Sequence, residues 1–453
     1  MYMDNSASNS SGKSTLSDNP TPHYHLSTLR GLFALSPVLL FMGLYLSVSL
    51  ATGDFYAMPV SVAFVAASAW ALMTLRGRSL AERVEVFSRG AARGDILYMV
   101  WVYIMAGAFA SLAKGCGAID ATVALALRYL PADFILPGLF GAACFISLAI
   151  GSSVGTVVAL TPLAASIATA GEGNVALFVA AVLGGAFFGD NLSFISDTTI
   201  AATRSQGIGM RDKFRANLRV VLPAAVISLV LYFFLGKGEI HSLHHIDGNW
   251  PMVIPYLLVI GLALSGMNVI GVLGCGIAAA LGIGLWQNHT LLSLVGYLGT
   301  GITDMGELTI ITILAAGMLG VIQATGGIDW MLRMMTRRVT TPRGARFVIS
   351  ALVSMVNLCT ANNTVAIITV GTLSRDISRR YALDPARVAS ILDTWSCIVQ
   401  SLIPYGAQAL LAASLSSISP VAPFPYLFYP FLLATTMILV LILLPSRHRR
   451  LSD

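Results

Sequence analysis

Apolar runs of bilayer length recur along almost the whole chain. A membrane-crossing helix needs about 20 mostly apolar residues. Such segments lie near 29–50, 58–75, 95–114, 134–170, 175–203, 218–236, 251–267, 268–285, 305–325, 345–374, 387–415 and 423–444. Two of them, 134–170 and 345–374, are interrupted at mid-length by small polar residues. Basic residues gather between the runs: Arg76, Arg78, Arg83, Arg89 and Arg93; Arg204, Arg211, Lys213, Arg215 and Arg219; Arg333, Arg337, Arg338, Arg343 and Arg346; Arg375, Arg379, Arg380 and Arg387; Arg447, Arg449 and Arg450. Lys and Arg mark the cytoplasmic side of a membrane protein. The third and fourth clusters flank 345–374, so that segment enters and leaves from the cytoplasm as a re-entrant hairpin. Segment 134–170 has the opposite setting and is followed by the poorly basic loop 171–174, which puts both its ends outside. The tally closes with ten spans, two opposed hairpins and both termini inside.

The fold class expected is an all-α polytopic membrane protein built as an inverted repeat, each half holding about five spans, one re-entrant hairpin and broken helices. The expected divisions are a disordered cytoplasmic tail (1–28), a first transmembrane repeat (29–236), an external loop (237–250), a second, inverted repeat (251–444) and a cytoplasmic tail (445–453). Shifting by 209 lays residues 95–120 on 304–329, matching Asp95 with Asp304, Ile104 with Ile313, Ala106 with Ala315, Gly117 with Gly326, Ile119 with Ile328 and Asp120 with Asp329. Inverted repeats whose interrupted helices meet at mid-membrane are the layout of secondary transporters.

Composition agrees with this reading and narrows it. The chain of 453 residues is 56% hydrophobic and only 11% charged, against about 25% charged in soluble domains. Its formal charge of +6 sits in a few loops, so it marks orientation in a lipid bilayer and no nucleic-acid partner. The serine- and asparagine-rich start lacks the basic and apolar regions of a secretory signal. Cys116, Cys144, Cys275, Cys359 and Cys397 lie in or beside apolar runs with no C-x-x-C pair, and read as small core residues. There is no phosphate-binding glycine loop, dinucleotide fingerprint or zinc spacing, so no cofactor is expected; an enzyme and an ATP-driven pump are both disfavoured.

The chemistry follows the hairpins. After the first comes Gly189-Asp190-Asn191-Leu192-Ser193-Phe194-Ile195-Ser196-Asp197-Thr198-Thr199, and after the second Asp393-Thr394-Trp395-Ser396-Cys397-Ile398-Val399-Gln400-Ser401. Shifting by 203 places Asp190 on Asp393, Ser193 on Ser396 and Asp197 on Gln400, an acid, a hydroxyl and a second polar oxygen on one helical face. The tips, Gly151-Ser152-Ser153-Val154-Gly155-Thr156 and Thr360-Ala361-Asn362-Asn363-Thr364, bear hydroxyls and amides, and irregular backbone at this depth is tolerated only where it lines protein or water. Unwound carbonyls, hydroxyls and carboxylates are hard oxygen donors suited to Na⁺. A carboxylate buried without a cationic partner favours its protonated form. No Lys or Arg falls inside either broken helix, which leaves a transported cation or proton as the neutralising partner.

Plainer accounts exist for each residue. Asp190 and Asp197 could cap a helix restart. Asp393 could sit near the interface, two turns from a helix start at Asp384-Pro385. Gln400, Asn362 and Asn363 could satisfy freed backbone groups. Asp95, Asp304 and Glu307 read as solvated span ends, and His241, His244 and His245 as a solvated external loop. Gly185 and Gly189 have the spacing of close helix packing.

GSSVGT at 151–156, GDNLSFISDTT at 189–199, ANNT at 361–364 and LDTWSCIVQSLIPYGAQ at 392–408 resemble the NhaC-type Na⁺/H⁺ antiporters, and the similarity extends from about residue 90 to 415. The resemblance implies a bacterial inner-membrane exchanger of Na⁺ for H⁺, within an ion transporter superfamily of inverted repeats that often form homodimers and move substrate by an elevator-like shift. It implies that Asp190, Ser193, Asp197 and Thr198 line the ion path, with Ser153, Thr156, Asn363 and Thr364 at the tips. Phe194 stands where members of the family often have proline. Related branches exchange organic acids or amino acids. The leading expectation is therefore Na⁺/H⁺ antiport with Asp197 and Asp190 binding Na⁺ or H⁺ competitively. The alternatives are Na⁺-coupled transport of a small organic acid or amino acid, a non-transporting scaffold or receptor, and a channel.

Overall fold

The computed structural model of the chain describes residues 27–52, 58–194, 196–240, 250–337 and 339–443. The expected tails over 1–26 and 444–453, and the histidines of the 241–249 loop, lie outside the described residues.

The first half runs α1 (Thr28–Thr52), α2 (Val60–Thr74), α3 (Leu80–Ala91), α4 (Gly94–Gly115) and α5 (Ala118–Tyr129), then a hairpin of α6 (Ala132–Ile150) and α7 (Ser153–Ala170), a broken helix of α8 (Val175–Leu192) and α9 (Asp197–Gln206), and α10 (Met210–Gly236). The second half repeats that order. It runs α11 (Ile254–Leu264), α12 (Val269–Trp286), α13 (Leu291–Asp304), α14 (Gly306–Ala324) and α15 (Gly327–Thr336), then a hairpin of α16 (Pro342–Thr360) and α17 (Asn363–Arg380), a broken helix of α18 (Pro385–Ser401) and α19 (Ala407–Ser416), and α20 (Phe428–Leu443). No strand occurs among the described residues. Eight segments among them are long and apolar enough to cross a membrane, and shorter apolar helices accompany them. This is an all-α, multi-pass membrane protein.

Every predicted span and both hairpins fall on helices. The short helices α3, α5, α13 and α15 were not foreseen as separate elements, because their 10–14 residues are too few to register as bilayer-length runs. Helix α3 instead carries a soluble-type start, with Ser79 and Glu82 forming a capping box that satisfies two otherwise orphaned N–H groups.

Burial separates the helices that hold the candidate chemistry from those that enclose it. Helices α7 and α8 are buried along most of their length. Helix α10 exposes Leu222, Val226, Val230 and Phe234, a stripe at four-residue spacing along one face that fits contact with lipid. Helix α8 lies against α6 through the glycines singled out in the sequence. A Cβ on Gly185 would stand 2.5 Å from the Ala143 Cβ, and one on Gly189 would stand 2.3 Å from the Ser147 carbonyl carbon. Only hydrogen fits in that seam.

The internal repeat has a fixed register. Gly117 and Gly326, paired by the 209 shift, both hold positive φ (71° and 74°) immediately before α5 and α15. From the hairpins onward the offset is 210: Ala132–Ile150 recurs as Pro342–Thr360, Ser153–Ala170 as Asn363–Arg380, and Asp197–Gln206 as Ala407–Ser416. Hydrogen bonds repeat with the helices. The Ser147 hydroxyl donates to the Ala186 carbonyl (2.5 Å), and its counterpart Asn357 donates from Nδ2 to the Ser396 carbonyl (2.7 Å). The structural partner of Asp190 is therefore Gln400, and that of Thr198 is Gln408. The pairing of Asp190 with Asp393, Ser193 with Ser396 and Asp197 with Gln400 by a shift of 203 is incorrect. The two offsets differ by seven residues, about two helical turns, which leaves a residue on nearly the same face.

Candidate functional site

Each hairpin turns through a residue in the left-handed region, Gly151 (φ 71°) in the first and Ala361 (φ 48°) in the second. The next residue caps the returning helix. The Ser152 hydroxyl accepts from the Gly155 N–H at 3.2 Å, and Asn362 Oδ1 accepts from the Val365 N–H at 3.0 Å. The expectation that polar residues interrupt both segments is met by this reciprocal use of hydroxyl and amide caps, which stop and restart a helix without orphaning its N–H groups.

Helix α8 stops at Leu192 and α9 begins at Asp197, so the carbonyls of the last turn of α8 need outside donors. The Asp190 carbonyl accepts from the Ser196 hydroxyl (2.9 Å) and the Thr198 hydroxyl (3.1 Å). The Asn191 carbonyl accepts from Lys213 Nζ (2.7 Å) and Asn217 Nδ2 (2.8 Å). Ser196 caps α9, its hydroxyl accepting from the Thr199 N–H at 3.2 Å. Phe194 stacks on Phe214 of α10 with ring centroids 4.7 Å apart. The break forms here without proline, held by side chains of α10.

Both tips and the first break border one cavity of about 440 Å³, lined by Ser153, Asp190, Asp197, Thr198, Asn362, Asn363, Thr364 and Gln408 among others. Asp190 is 5% exposed, and its Oδ1 accepts from the Ser153 N–H at 3.0 Å. None of the ion pairs among the described residues involves Asp190. Asp197 occupies the first turn of α9 and is exposed to the cavity. Of the two acids at the first break, Asp190 is the one withdrawn from water. Arg93 and Asp95 pair at 3.0 Å and also line the cavity, with Tyr98 beside them. Asp95 is thus part of this cavity, beyond the solvated span end expected of it.

The other predicted residues divide. Ser193, Thr156 and Ser396 are buried; the Thr156 hydroxyl donates to the Ser152 carbonyl (3.1 Å) and the Ser396 hydroxyl to the Asp393 carbonyl (2.8 Å). Gln400 lies behind the cavity, donating from Nε2 to the Ala361 carbonyl and to Gln408 Oε1, each at 3.0 Å. Gln408, not foreseen, then donates from Nε2 to the Ser153 hydroxyl at 3.0 Å. A chain of amides thereby joins the tip of one hairpin to the tip of the other. Asp304 and Glu307 border a separate hollow of about 360 Å³ farther along α19. Cys275 is exposed rather than buried.

Asp393 requires the largest correction. It is wholly buried instead of interfacial, and its Oδ2 lies 2.8 Å from Lys213 Nζ. The sequence placed Lys213 with the solvated basic residues after α9. It instead occupies the first turn of α10 and is 1% exposed. A lysine from outside the broken helices therefore neutralises one of the three acids, where a mobile cation or proton was expected to serve all of them. Its signal was faint: a single Lys among arginines, four residues before Asn217 on one face of α10.

A model of the Na⁺/H⁺ antiporter family matches residues 17–237 and 244–446. The chain belongs to that family. Among its relatives, the arginine/ornithine antiporter ArcD of Halobacterium salinarum is 25% identical over 68% of this chain and 72% of its own. The Na⁺/H⁺ antiporter NhaC of Alkalihalophilus pseudofirmus is 26% identical over 62% of this chain and 68% of its own. The malate-2H⁺/Na⁺-lactate antiporter of Bacillus subtilis is 23% identical over 87% of this chain and 91% of its own. The NhaC-type resemblance read from the motifs agrees with these findings, and the protein is a transporter of the Na⁺/H⁺ antiporter family.

Proposed function

We propose that the protein exchanges Na⁺ for H⁺ across the bacterial inner membrane, with the Asp190 carboxylate as the group that holds one or the other. The observation that carries this reading is a buried carboxylate on a cavity wall, held by the Ser153 N–H and hydroxyl and with no ion pair among the described residues. A lone ionised carboxylate in such surroundings is costly, and either a bound proton or a bound Na⁺ relieves the cost by neutralising the charge. Both cannot occupy one carboxylate at once, so occupancy by one displaces the other, which is the elementary requirement of exchange. Asp197, Thr198 and Ser153 supply further oxygens at the same wall, and Asp197, being exposed, meets the incoming ion before Asp190 does. The side of the cavity bearing Arg93 faces the cytoplasm by the positive-inside rule, as do both termini.

A second reading has its own support. A cavity of about 440 Å³ is far larger than a bare Na⁺, and two relatives are named for the antiport of amino acids and of malate and lactate. In that reading Na⁺ or H⁺ at Asp190 couples to a small organic acid or amino acid held nearer Asn362, Asn363 and Thr364. Flux from purified proteoliposomes separates the two. Na⁺/H⁺ exchange with no organic solute present supports the first; exchange that begins only when a carboxylate or amino acid is added supports the second.

A further inference from the structure

The buried lysine at the first break has no place in the exchange just described, and its surroundings are unusual. Lys213 Nζ has three oxygens around it: the Asn191 carbonyl at 2.7 Å, the Thr199 hydroxyl at 2.6 Å and Asp393 Oδ2 at 2.8 Å. An ammonium has three N–H donors, so the group is saturated. The three oxygens come from three elements, the end of α8, the first turn of α9 and the middle of α18. One is a full carboxylate. Another is a carbonyl at a helix C-terminus, the negative end of its dipole. The third is a hydroxyl. Carbonyls of an unwound helix together with hydroxyl and carboxylate oxygens form the donor set that holds an alkali cation in transporters.

We infer that this cradle is a monovalent-cation site in which the Lys213 ammonium acts as a tethered cation, leaving Asp393 unable to bind a mobile one. A second residue keeps the cradle formed independently of the lysine. Asn217 Nδ2 donates to the Asn191 carbonyl at 2.8 Å and to Asp393 Oδ2 at 2.7 Å, so two of the three oxygens are held together by an amide as well as by the ammonium. Replacing the Lys213 ammonium while keeping its apolar stem then leaves a negative, oxygen-lined hole of cation size beside the break. Asp190 and Asp393 thus differ in kind. Asp190 faces a cavity and has no ion-pair partner among the described residues, whereas Asp393 has a permanent one. That only the first takes part in transport rests on the function proposed above; the cradle itself does not.

The test measures binding, so that the two ideas fail separately. Thermal unfolding of purified protein is followed in choline and in Na⁺ for the Asp190→Asn/Asp197→Asn variant and for the same variant carrying Lys213→Met. The background variant with Lys213 intact should show no Na⁺ response. A response there equal to that of the unmodified protein would contradict the proposed exchange site and leave the cradle to be judged on the lysine variant. With Lys213→Met added, raising Na⁺ from about 1 to about 100 mM should lift Tm by about 2 °C, the shift expected in a chain of this size for a site whose Kd is about 1 mM. Adding Asp393→Asn should abolish the rise. No Na⁺-specific rise in the folded lysine variant, or a rise that survives Asp393→Asn, overturns the inference. If Lys213→Met yields no folded protein in choline, expression and extraction in Na⁺ or ethylammonium should recover it, and failure to recover it in either also overturns the inference.

Discussion

Asp190→Asn separates the charge of the central carboxylate from its shape. The amide keeps an oxygen able to accept from the Ser153 N–H, now 3.0 Å from Oδ1, so the first turn of α7 retains its contact. A hydrogen bond to a charged acceptor contributes about 1.5–3 kcal/mol and a neutral one about 0.5–1.5, so the weakened bond costs about 1 kcal/mol. Against this, the variant has no carboxylate to neutralise by proton uptake, so the cost of burying that charge is gone at every pH. In Na⁺-free buffer Asp190→Asn should therefore unfold at or above the temperature of the unmodified protein. Asp190→Ala leaves the Ser153 N–H without its acceptor and opens a void, at about 2–4 kcal/mol, and should unfold about 2–4 °C lower. Both variants should bring Na⁺-driven proton movement in proteoliposomes, read with a pH-sensitive dye, down to that of protein-free vesicles. An Asn variant that exchanges at the unmodified rate would refute the reasoning about charge. An Asn variant no more stable than the Ala variant would refute the reasoning about the hydrogen bond.

Other outcomes follow from the same geometry. Asp197→Asn, at an exposed residue, should leave Tm nearly unchanged but raise the Na⁺ concentration for half-maximal exchange by about tenfold, the loss of roughly 1.4 kcal/mol of ligation; sodium titrations of flux decide it. Gly189→Ala drives a Cβ to 2.3 Å from the Ser147 carbonyl carbon, and overpacking at backbone should destabilise by about 2–3 kcal/mol, visible as reduced Tm and poor yield after extraction. Ala361→Gly removes an alanine from the left-handed region (φ 48°) and should stabilise by about 1 kcal/mol, whereas Gly151→Ala at the equivalent tip should destabilise by a similar amount; paired unfolding curves give the sign of each.

Much of this architecture was legible in the chain because lipid imposes a strict code. Bilayer-length runs, arginine-rich loops and polar interruptions located the hairpins and both broken helices. The polar tips were recognisable since Ser152 and Asn362 are good helix caps placed where no helix should stop. Asp190 and Asp197 stood out because carboxylates seldom occur in such segments. What escaped was the three-dimensional register. Offsets of 203 and 210 put residues on nearly one helical face, so Asp393 looked like the counterpart of Asp190, when Gln400 holds that position. Lys213 was missed for a related reason. Counted along the chain it belongs to a basic loop, and only the fold of α10 back over the break turns its side chain inward. Gln408 lies in an apolar run after a Pro-Tyr-Gly turn, and nothing in its neighbours announces that it bridges to Ser153.

The central claim is that one carboxylate serves Na⁺ and H⁺ in turn. It is tested most directly by the pH dependence of the Na⁺ concentration giving half-maximal exchange in proteoliposomes. Competition at Asp190 predicts that this concentration rises by about tenfold for each unit of pH lowered over the range in which the carboxylate binds a proton, with the maximal rate reached once Na⁺ is sufficient. A half-maximal concentration that stays constant across that range while the rate alone changes would contradict it.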